Sequence, residues 1–169
     1  DNSKPVVLFI GHNAASGVEA VDYLENSGLY GKVELAGICC TSHDLARYRQ
    51  GAKIIGPMSR QLTFVRSGIA DVVVVDEECV RLDVVNEALR KDSRVVATTT
   101  QICGGLPDLT ASPSEEIVNR LVSGKEPAVL VLNPVKAGEV AVKVALAVAP
   151  GRRGKHLSLI HISEPTRPY

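Results

Sequence analysis

Residues 71–98 read DVVVVDEECVRLDVVNEALRKDSRVVAT, and this stretch decides the fold. In residues 71–75 Asp71 is followed by four valines, and this apolar, β-branched run predicts a buried strand; residues 94–98 predict a second strand. Residues 82–90 between them predict a helix. Strands that are apolar along their whole length and are joined by helices are typical of a parallel sheet covered on both faces.

The same alternation of strand and helix extends in both directions from this unit. The pattern predicts further strands at residues 6–10, 33–38, 53–55 and 128–132, and helices at residues 17–26, 42–49, 59–66, 115–122 and 135–148. A Pro-Gly turn at residues 150–151 is expected to end the last helix. We therefore predict an α/β domain over residues 1–156, a Rossmann-like, doubly wound parallel sheet with helices on both faces.

The composition argues against several classes of protein. A chain of 169 residues corresponds to about one domain, and its 19 basic and 19 acidic residues leave no net charge to attract nucleic acid or an anionic membrane. Trp is absent and aromatic residues make up 4%, which disfavours a base-stacking surface. The apolar runs are strand-sized, far shorter than the roughly 20 residues of a membrane span. With no signal peptide visible, we expect a cytoplasmic protein without nucleic-acid or membrane partners.

The final segment does not continue the pattern. Residues 157–169 read LSLIHISEPTRPY, and residues 157–167 resemble an in-frame translation of a transposon-end sequencing adapter. The chain also opens with Asp1 instead of Met. We expect residues 157–169 to be an adapter-derived artefact tail, so that His161 is no ligand, and the domain to be truncated at both ends.

Soft metal ligands follow three of the predicted strands. His12 comes two residues after the first strand. Cys39 and Cys40 directly follow the second strand, and Cys79 follows the strand of residues 71–75. Because the carboxyl ends of parallel strands meet at one edge of a sheet, these side chains can converge on one site. Imidazole and thiol ligands suit iron–sulfur, nickel or zinc chemistry better than magnesium or calcium.

Each of these residues also has a simpler interpretation. A single His in a loop is most often solvated, a single Cys after a strand is usually a small buried side chain, and no C-x-x-C pair gives the spacing of a zinc ribbon. The acidic residues 76–78 could bind a cation but are interpreted as a solvated turn. Residues 11–17, GHNAASG, could bind a phosphate at a helix N-terminus but match neither GxGxxG nor a P-loop. A metal site, structural thiols and a non-catalytic Rossmann small-molecule-binding module all stay open on this reasoning.

Three motifs add a family resemblance. GHNAASGVEAVDYL (residues 11–24), ELAGICCTSHDLARY (residues 34–48) and GPMSRQLTFVRSGIADVVVVDEECVR (residues 56–81) occur in this order. They resemble the nickel–iron–sulfur carbon monoxide dehydrogenases, above all the catalytic alpha subunits of archaeal acetyl-CoA decarbonylase/synthase complexes. The resemblance covers about residues 6–155.

The resemblance implies a nickel–iron–sulfur cluster of the Ni-4Fe-4S type. It implies that His12 and Cys40 ligate the iron outside the cubane and that Cys79 ligates a cubane iron, with the choice between Cys39 and Cys40 left open. The remaining cluster ligands, the acid–base residues and further 4Fe-4S clusters would lie in parts of the subunit that this chain lacks. Cys103 matches no ligand motif and is expected to be structural.

The resemblance also implies an activity for the intact parent. This is anaerobic carbon monoxide dehydrogenation, the reversible oxidation of CO with water to CO2, two protons and two electrons. The implied partners are CO and CO2 as substrates, a ferredoxin-like electron carrier, a second copy of the subunit in a homodimer, and acetyl-CoA synthase subunits. The chain alone is expected to be inactive, because a partial ligand set binds metal weakly. A hybrid-cluster-type oxidoreductase of the same architecture is the enzymatic alternative.

Overall fold

The computed structural model describes residues 3–12, 14–101 and 104–156, with side chains as far as Arg152. Within these residues six strands form one parallel sheet: β1 (Val6–Ile10), β2 (Glu34–Ile38), β3 (Lys53–Gly56), β4 (Val72–Val75), β5 (Arg94–Ala97) and β6 (Ala128–Leu130). The strands lie in the order β3-β2-β1-β4-β5-β6, and every neighbouring pair is parallel. The predicted doubly wound parallel sheet is confirmed.

Helices cover both faces of this sheet. They are α1 (Ala15–Asn26), α2 (Cys40–Arg47), α3 (Gln61–Arg66), α4 (Val84–Arg90), α5 (Ser114–Ser123) and α6 (Pro134–His156). Residues of α1, α2, α5 and α6 share one core cluster with Val7 and Phe9 of β1, and residues of α3 and α4 share the other with Leu8 and Ile10. Successive side chains of a strand point to opposite faces, so a strand covered on both sides must be apolar throughout. None of the helices in the described part of the chain has the length and apolar character that a membrane crossing requires.

The last helix is longer than predicted. The prediction that it ends at residue 148 before a Pro-Gly turn is wrong, because α6 continues through Pro150 to His156. Proline inside a helix removes one backbone hydrogen bond and costs free energy. Ala149 and Arg152, on either side of this position, are buried, and Arg152 forms an ion pair with Asp71. These tertiary contacts outweigh the local penalty at Pro150.

Helices α1 and α6 approach each other closely at Gly138. A Cβ atom on Gly138 would lie 2.6 Å from the backbone nitrogen of Ala20 and 2.7 Å from the carbonyl oxygen of Ser16. Backbone atoms in a packed helix cannot move aside as the end of a flexible side chain can. We expect Gly138→Ala to lower the free energy of unfolding by about 1–3 kcal/mol, although alanine favours helix, as measured by urea denaturation.

Gly151→Ala is the matched control for this substitution. Gly151 lies in the same helix, and no heavy atom comes within 4 Å of a Cβ built there. This variant should keep or slightly increase the stability of the domain. If Gly138→Ala were as stable as the unsubstituted chain, the close approach of α1 and α6 would be contradicted.

Three sequence predictions concern residues outside the described ranges. They are the structural role of Cys103, the adapter origin of residues 157–169, and the exclusion of His161 as a ligand. All three stay predictions.

Candidate metal centre

The predicted ligands lie at the carboxyl edge of the sheet. From β1 the chain continues outward to β2 and β3, and from β4 it continues outward in the other direction to β5 and β6. The strand order therefore switches between β1 and β4, and ligands of open α/β sheets bind outside the carboxyl ends of strands at such a point. His12 follows β1 and Cys79 follows β4, on the two sides of the switch. Cys40 begins α2, next to the end of β2.

Backbone hydrogen bonds join the loops that follow β1, β2 and β4. The N–H of His12 donates to the carbonyl of Glu77 at 3.2 Å, which links the first and third of these loops. The N–H of Thr41, in the first turn of α2 directly after β2, donates to the carbonyl of Gly11 at 3.2 Å, which links this end of β2 to the first loop. The loop of His12 therefore lies between the other two and contacts both.

The three side chains share this edge without forming a closed coordination sphere. His12 and Cys40 are exposed, and Cys79 is half-buried. Among the residues that the structure describes, no group of three or more His, Cys, Asp or Glu side chains lies close enough to hold a metal ion. The structure thus shows linked loops that carry soft donors, and not a preformed three-ligand centre.

Cys39 and Cys40 present two neighbouring thiols. Cys39 has φ 71° and ψ −151°, a conformation that residues with a side chain rarely adopt. The carbonyl of Cys39 is held by Ser42, whose N–H donates to it at 3.1 Å and whose hydroxyl donates a second hydrogen bond. The two Sγ atoms are 3.9 Å apart.

The neighbouring thiol changes the acidity of Cys40. The hydrogen bond with Cys39 is the main cause that raises the pKa of Cys40, and the charge of an ionised Cys39, desolvation and the carboxylate of Asp44 act in the same direction. The Cys40 proton is therefore held to higher pH than in a free cysteine. A metal ion that binds the thiolate must displace this proton.

Two buried polar residues hold the loop of Cys79, and sequence reasoning missed both. Asp76 is buried, not part of a solvated turn, and its Oδ1 accepts hydrogen bonds from the Glu77 N–H at 2.7 Å and the Thr98 hydroxyl at 3.2 Å. Gln61 is fully buried, and its side-chain amide donates a hydrogen bond to the Cys79 carbonyl and accepts one from the Arg81 N–H. The position of Asp76 directly after a buried strand was the available signal, whereas no local pattern marks Gln61.

The fold defines a Rossmann-like domain, and the predicted ligands His12, Cys40 and Cys79 lie along the carboxyl edge of its sheet, beside the topological switch point. The chain matches the Prismane/CO dehydrogenase family over residues 1–156, and it belongs to that family. It is 52% identical over 153 residues to the acetyl-CoA decarbonylase/synthase complex subunit alpha of Methanothermobacter thermautotrophicus. It is 51% identical over 153 residues to subunit alpha 1 of the same complex from Methanopyrus kandleri. Each alignment covers 90% of this chain and 20% of the relative, so the chain spans about one fifth of the length of these curated relatives.

Solved structures show the same fold. Carbon monoxide dehydrogenase IV from Carboxydothermus hydrogenoformans superposes with a TM-score of 0.65 at 18% identity, covering 94% of this chain and 23% of that one. The nickel-free carbon monoxide dehydrogenase from Thermococcus sp. AM4 gives a TM-score of 0.61 at 22% identity, covering 88% of this chain and 22% of that one. The family resemblance stated from the motifs and the α/β fold are both confirmed.

Proposed function

We propose that this chain is the cluster-binding domain of a carbon monoxide dehydrogenase-type subunit, with His12, Cys40 and Cys79 as ligands of a nickel–iron–sulfur cluster. One observation carries the proposal. The loops after β1, β2 and β4 meet at the switch point, each brings one soft donor, and backbone hydrogen bonds join them. Membership of the Prismane/CO dehydrogenase family supports the type of metal.

The chemistry of the donor set fits such a cluster. Thiolate and imidazole are ligands of iron and nickel, whereas magnesium and calcium prefer oxygen donors. Cys40 is exposed and Cys39 is half-buried against the core, which favours Cys40 as the ligand of the pair. The names of solved relatives support the metals: one structure is described with NiZn[Fe4S4] and NiNi[Fe4S4] clusters in alpha subunits of acetyl-CoA synthase/carbon monoxide dehydrogenase.

The remaining ligands are proposed to come from a part of the full-length subunit that covers this edge. Four large apolar side chains are exposed on residues that follow strands, and therefore at the carboxyl edge: Met58, Leu82, Leu132 and Val135. They are distributed along the whole edge, from Met58 after β3 to Leu132 and Val135 after β6, as an edge covered by another segment would need. An edge that is covered in this way would exclude water from the cluster.

When bound, the cluster would supply the redox and Lewis-acid chemistry for the reversible oxidation of CO with water to CO2, two protons and two electrons. In this proposal His12 and Cys40 hold the iron outside the cubane and Cys79 holds a cubane iron. The backbone hydrogen bonds that join these segments would hold the three ligand residues at fixed positions relative to one another. Because the neighbouring Cys39 raises the pKa of Cys40, metal binding to Cys40 would have to displace the thiol proton.

We propose three kinds of partner for the full-length subunit, and the names of its relatives support one of them. Their names describe a subunit of an acetyl-CoA decarbonylase/synthase complex, which supports acetyl-CoA synthase subunits as partners. A ferredoxin-like carrier would accept the electrons, a second copy of the subunit would form a homodimer, and the protein would be cytoplasmic. We propose that the chain alone is inactive, because it holds only part of the ligand set.

Metal analysis of the full-length subunit tests the proposal. We expect His12→Ala and Cys79→Ala to lose nickel, and CO-dependent reduction of a viologen dye to fall by at least about 100-fold, because outer-shell changes alone cost 10–100-fold. His43→Ala is the matched control, since His43 is an exposed histidine three residues after Cys40 to which we assign no role. Native metal content and activity in both ligand variants would rule the proposal out.

A further inference from the structure

Gln61 is a polar residue in a fully buried position. It is the first residue of α3 and has no exposed surface. A buried amide is unfavourable unless its donor and acceptor are both hydrogen-bonded. Both are, and to the same loop: Nε2 donates to the carbonyl of Cys79, and Oε1 accepts from the N–H of Arg81 at 3.1 Å.

The loop that Gln61 binds has an unfavourable backbone conformation. Glu78 and Cys79 have φ values of 55° and 53°, in the left-handed region that residues with a side chain rarely adopt. Two such residues in succession persist only where the surroundings hold them. The start of the loop is held at Glu77, which binds Asp76 through its N–H and His12 through its carbonyl. The end of the loop is held by the Gln61 amide.

We infer that Gln61 is a positioning residue for Cys79. Its amide holds the Cys79 backbone in the left-handed conformation and thereby keeps the Cys79 thiol at the ligand edge of the sheet. Gln61 acts through the backbone, because both of its polar groups are bonded to main-chain atoms. The inference rests on the proposed function, since the position of this thiol matters for metal binding only if Cys79 is a ligand.

Thiol reactivity of the reduced, metal-free chain tests the inference. Alkylation by iodoacetamide under native conditions is followed at each cysteine by peptide mass spectrometry, with Cys40 as the internal reference. In Gln61→Leu both hydrogen bonds are lost, and we expect the Cys79 rate to rise about fivefold or more relative to Cys40 through local opening. Gln61→Glu keeps the acceptor for Arg81, but its carboxylate cannot donate to the Cys79 carbonyl, so its Cys79 rate should also rise relative to Cys40.

A core substitution on the same helix separates positioning from general loss of stability. Val65 is buried in α3, and Val65→Ala creates a small cavity without removing either hydrogen bond. Its Cys79 rate relative to Cys40 should equal that of the unsubstituted chain. Unchanged Cys79 rates in both Gln61 variants, or an equal increase in Val65→Ala, would overturn the inference. If Gln61→Leu does not fold, the Cys79 alkylation rates of Gln61→Glu and Val65→Ala, each relative to Cys40, are compared instead.

This readout is independent of the metal analysis. Alkylation needs no bound metal, so it reports on the loop even if His12→Ala and Cys79→Ala prove to have no effect on nickel content. In that case the proposed function fails while the hold of Gln61 on the loop is still measured. If the Gln61 variants have a normal Cys79 alkylation rate while Cys79→Ala loses metal, only the role of Gln61 is contradicted.

Discussion

Arg152→Leu is expected to lower the free energy of unfolding by about 3–5 kcal/mol. Arg152 of α6 and Asp71, next to the start of β4, form an ion pair of 2.6 Å, with side chains 5% and 8% exposed. Removing the guanidinium leaves the Asp71 carboxylate buried without its counter-charge, and this desolvated charge is the main cause of the loss. Equilibrium urea denaturation would measure the change.

The surroundings of this pair explain why one side chain matters so much. Arg152 donates further hydrogen bonds to three acceptors: the carbonyls of Gly68 and Lys91 and the hydroxyl of Ser93. The second carboxylate oxygen of Asp71 accepts the N–H of Val6 at 2.8 Å. The network therefore connects the end of α6 to the starts of β1, β4 and β5. The same contacts keep α6 helical beyond Pro150.

Two comparisons check this interpretation. Arg120→Leu removes a more exposed arginine, paired with Glu116 and Glu126, and should cost no more than about 1 kcal/mol. Adding Asp71→Asn to Arg152→Leu removes the unpaired charge and should recover part of the stability. Equal losses for Arg152→Leu and Arg120→Leu would show that the buried pair does not contribute in this way.

Gly11→Ala is expected to cost about 2–4 kcal/mol of folding stability and to disturb the ligand loops. Gly11 has φ 146°, and a Cβ atom there would lie 2.6 Å from the Cβ of Asp76 and 3.2 Å from the carbonyl oxygen of Glu77. Backbone strain and the clash therefore add together. Because the next residue donates the hydrogen bond to Glu77, the added methyl group pushes the His12 and Cys79 loops apart. In the full-length subunit we expect a lower nickel content as well.

Gly28→Ala separates the two causes. Gly28 has φ 67°, but no heavy atom comes within 4 Å of a Cβ built there. This variant carries backbone strain without a clash and should lose only about 1 kcal/mol, with its nickel content unchanged. Similar stability and metal content for the two glycine variants would contradict the close packing of the β1 and β4 loops.

Much of the fold could be predicted because its local signals agree with their tertiary surroundings. β1 was predicted at residues 6–10 and has these bounds, with all five residues buried. Its continuous apolar run follows from burial on both faces of the sheet. The end of α6 could not be predicted, because the signal of Pro150 is local while the buried pair of Arg152 and Asp71 joins residues 81 positions apart.

The candidate site was predictable in outline. Soft donors directly after strands are visible in the sequence, and a parallel sheet places them at one edge. The sequence does not state which strands are neighbours, and therefore does not state that the His12 loop lies between the other two. It also assigned Asp76 to a solvated turn, whereas the structure buries it among the loop hydrogen bonds.

The sequence by itself determined the fold class, the family and the edge that carries His12, Cys40 and Cys79. These follow from apolar runs, helical periodicity and short motifs, all of which are local properties of the chain. Only the tertiary structure decided the strand order, the hydrogen bonds that join the segments of His12, Cys40 and Cys79, and the hydrogen bond from Gln61 to Cys79. The physical reason is separation: Gln61 and Cys79 are 18 residues apart, and whether a buried amide meets a backbone carbonyl depends on how distant segments pack.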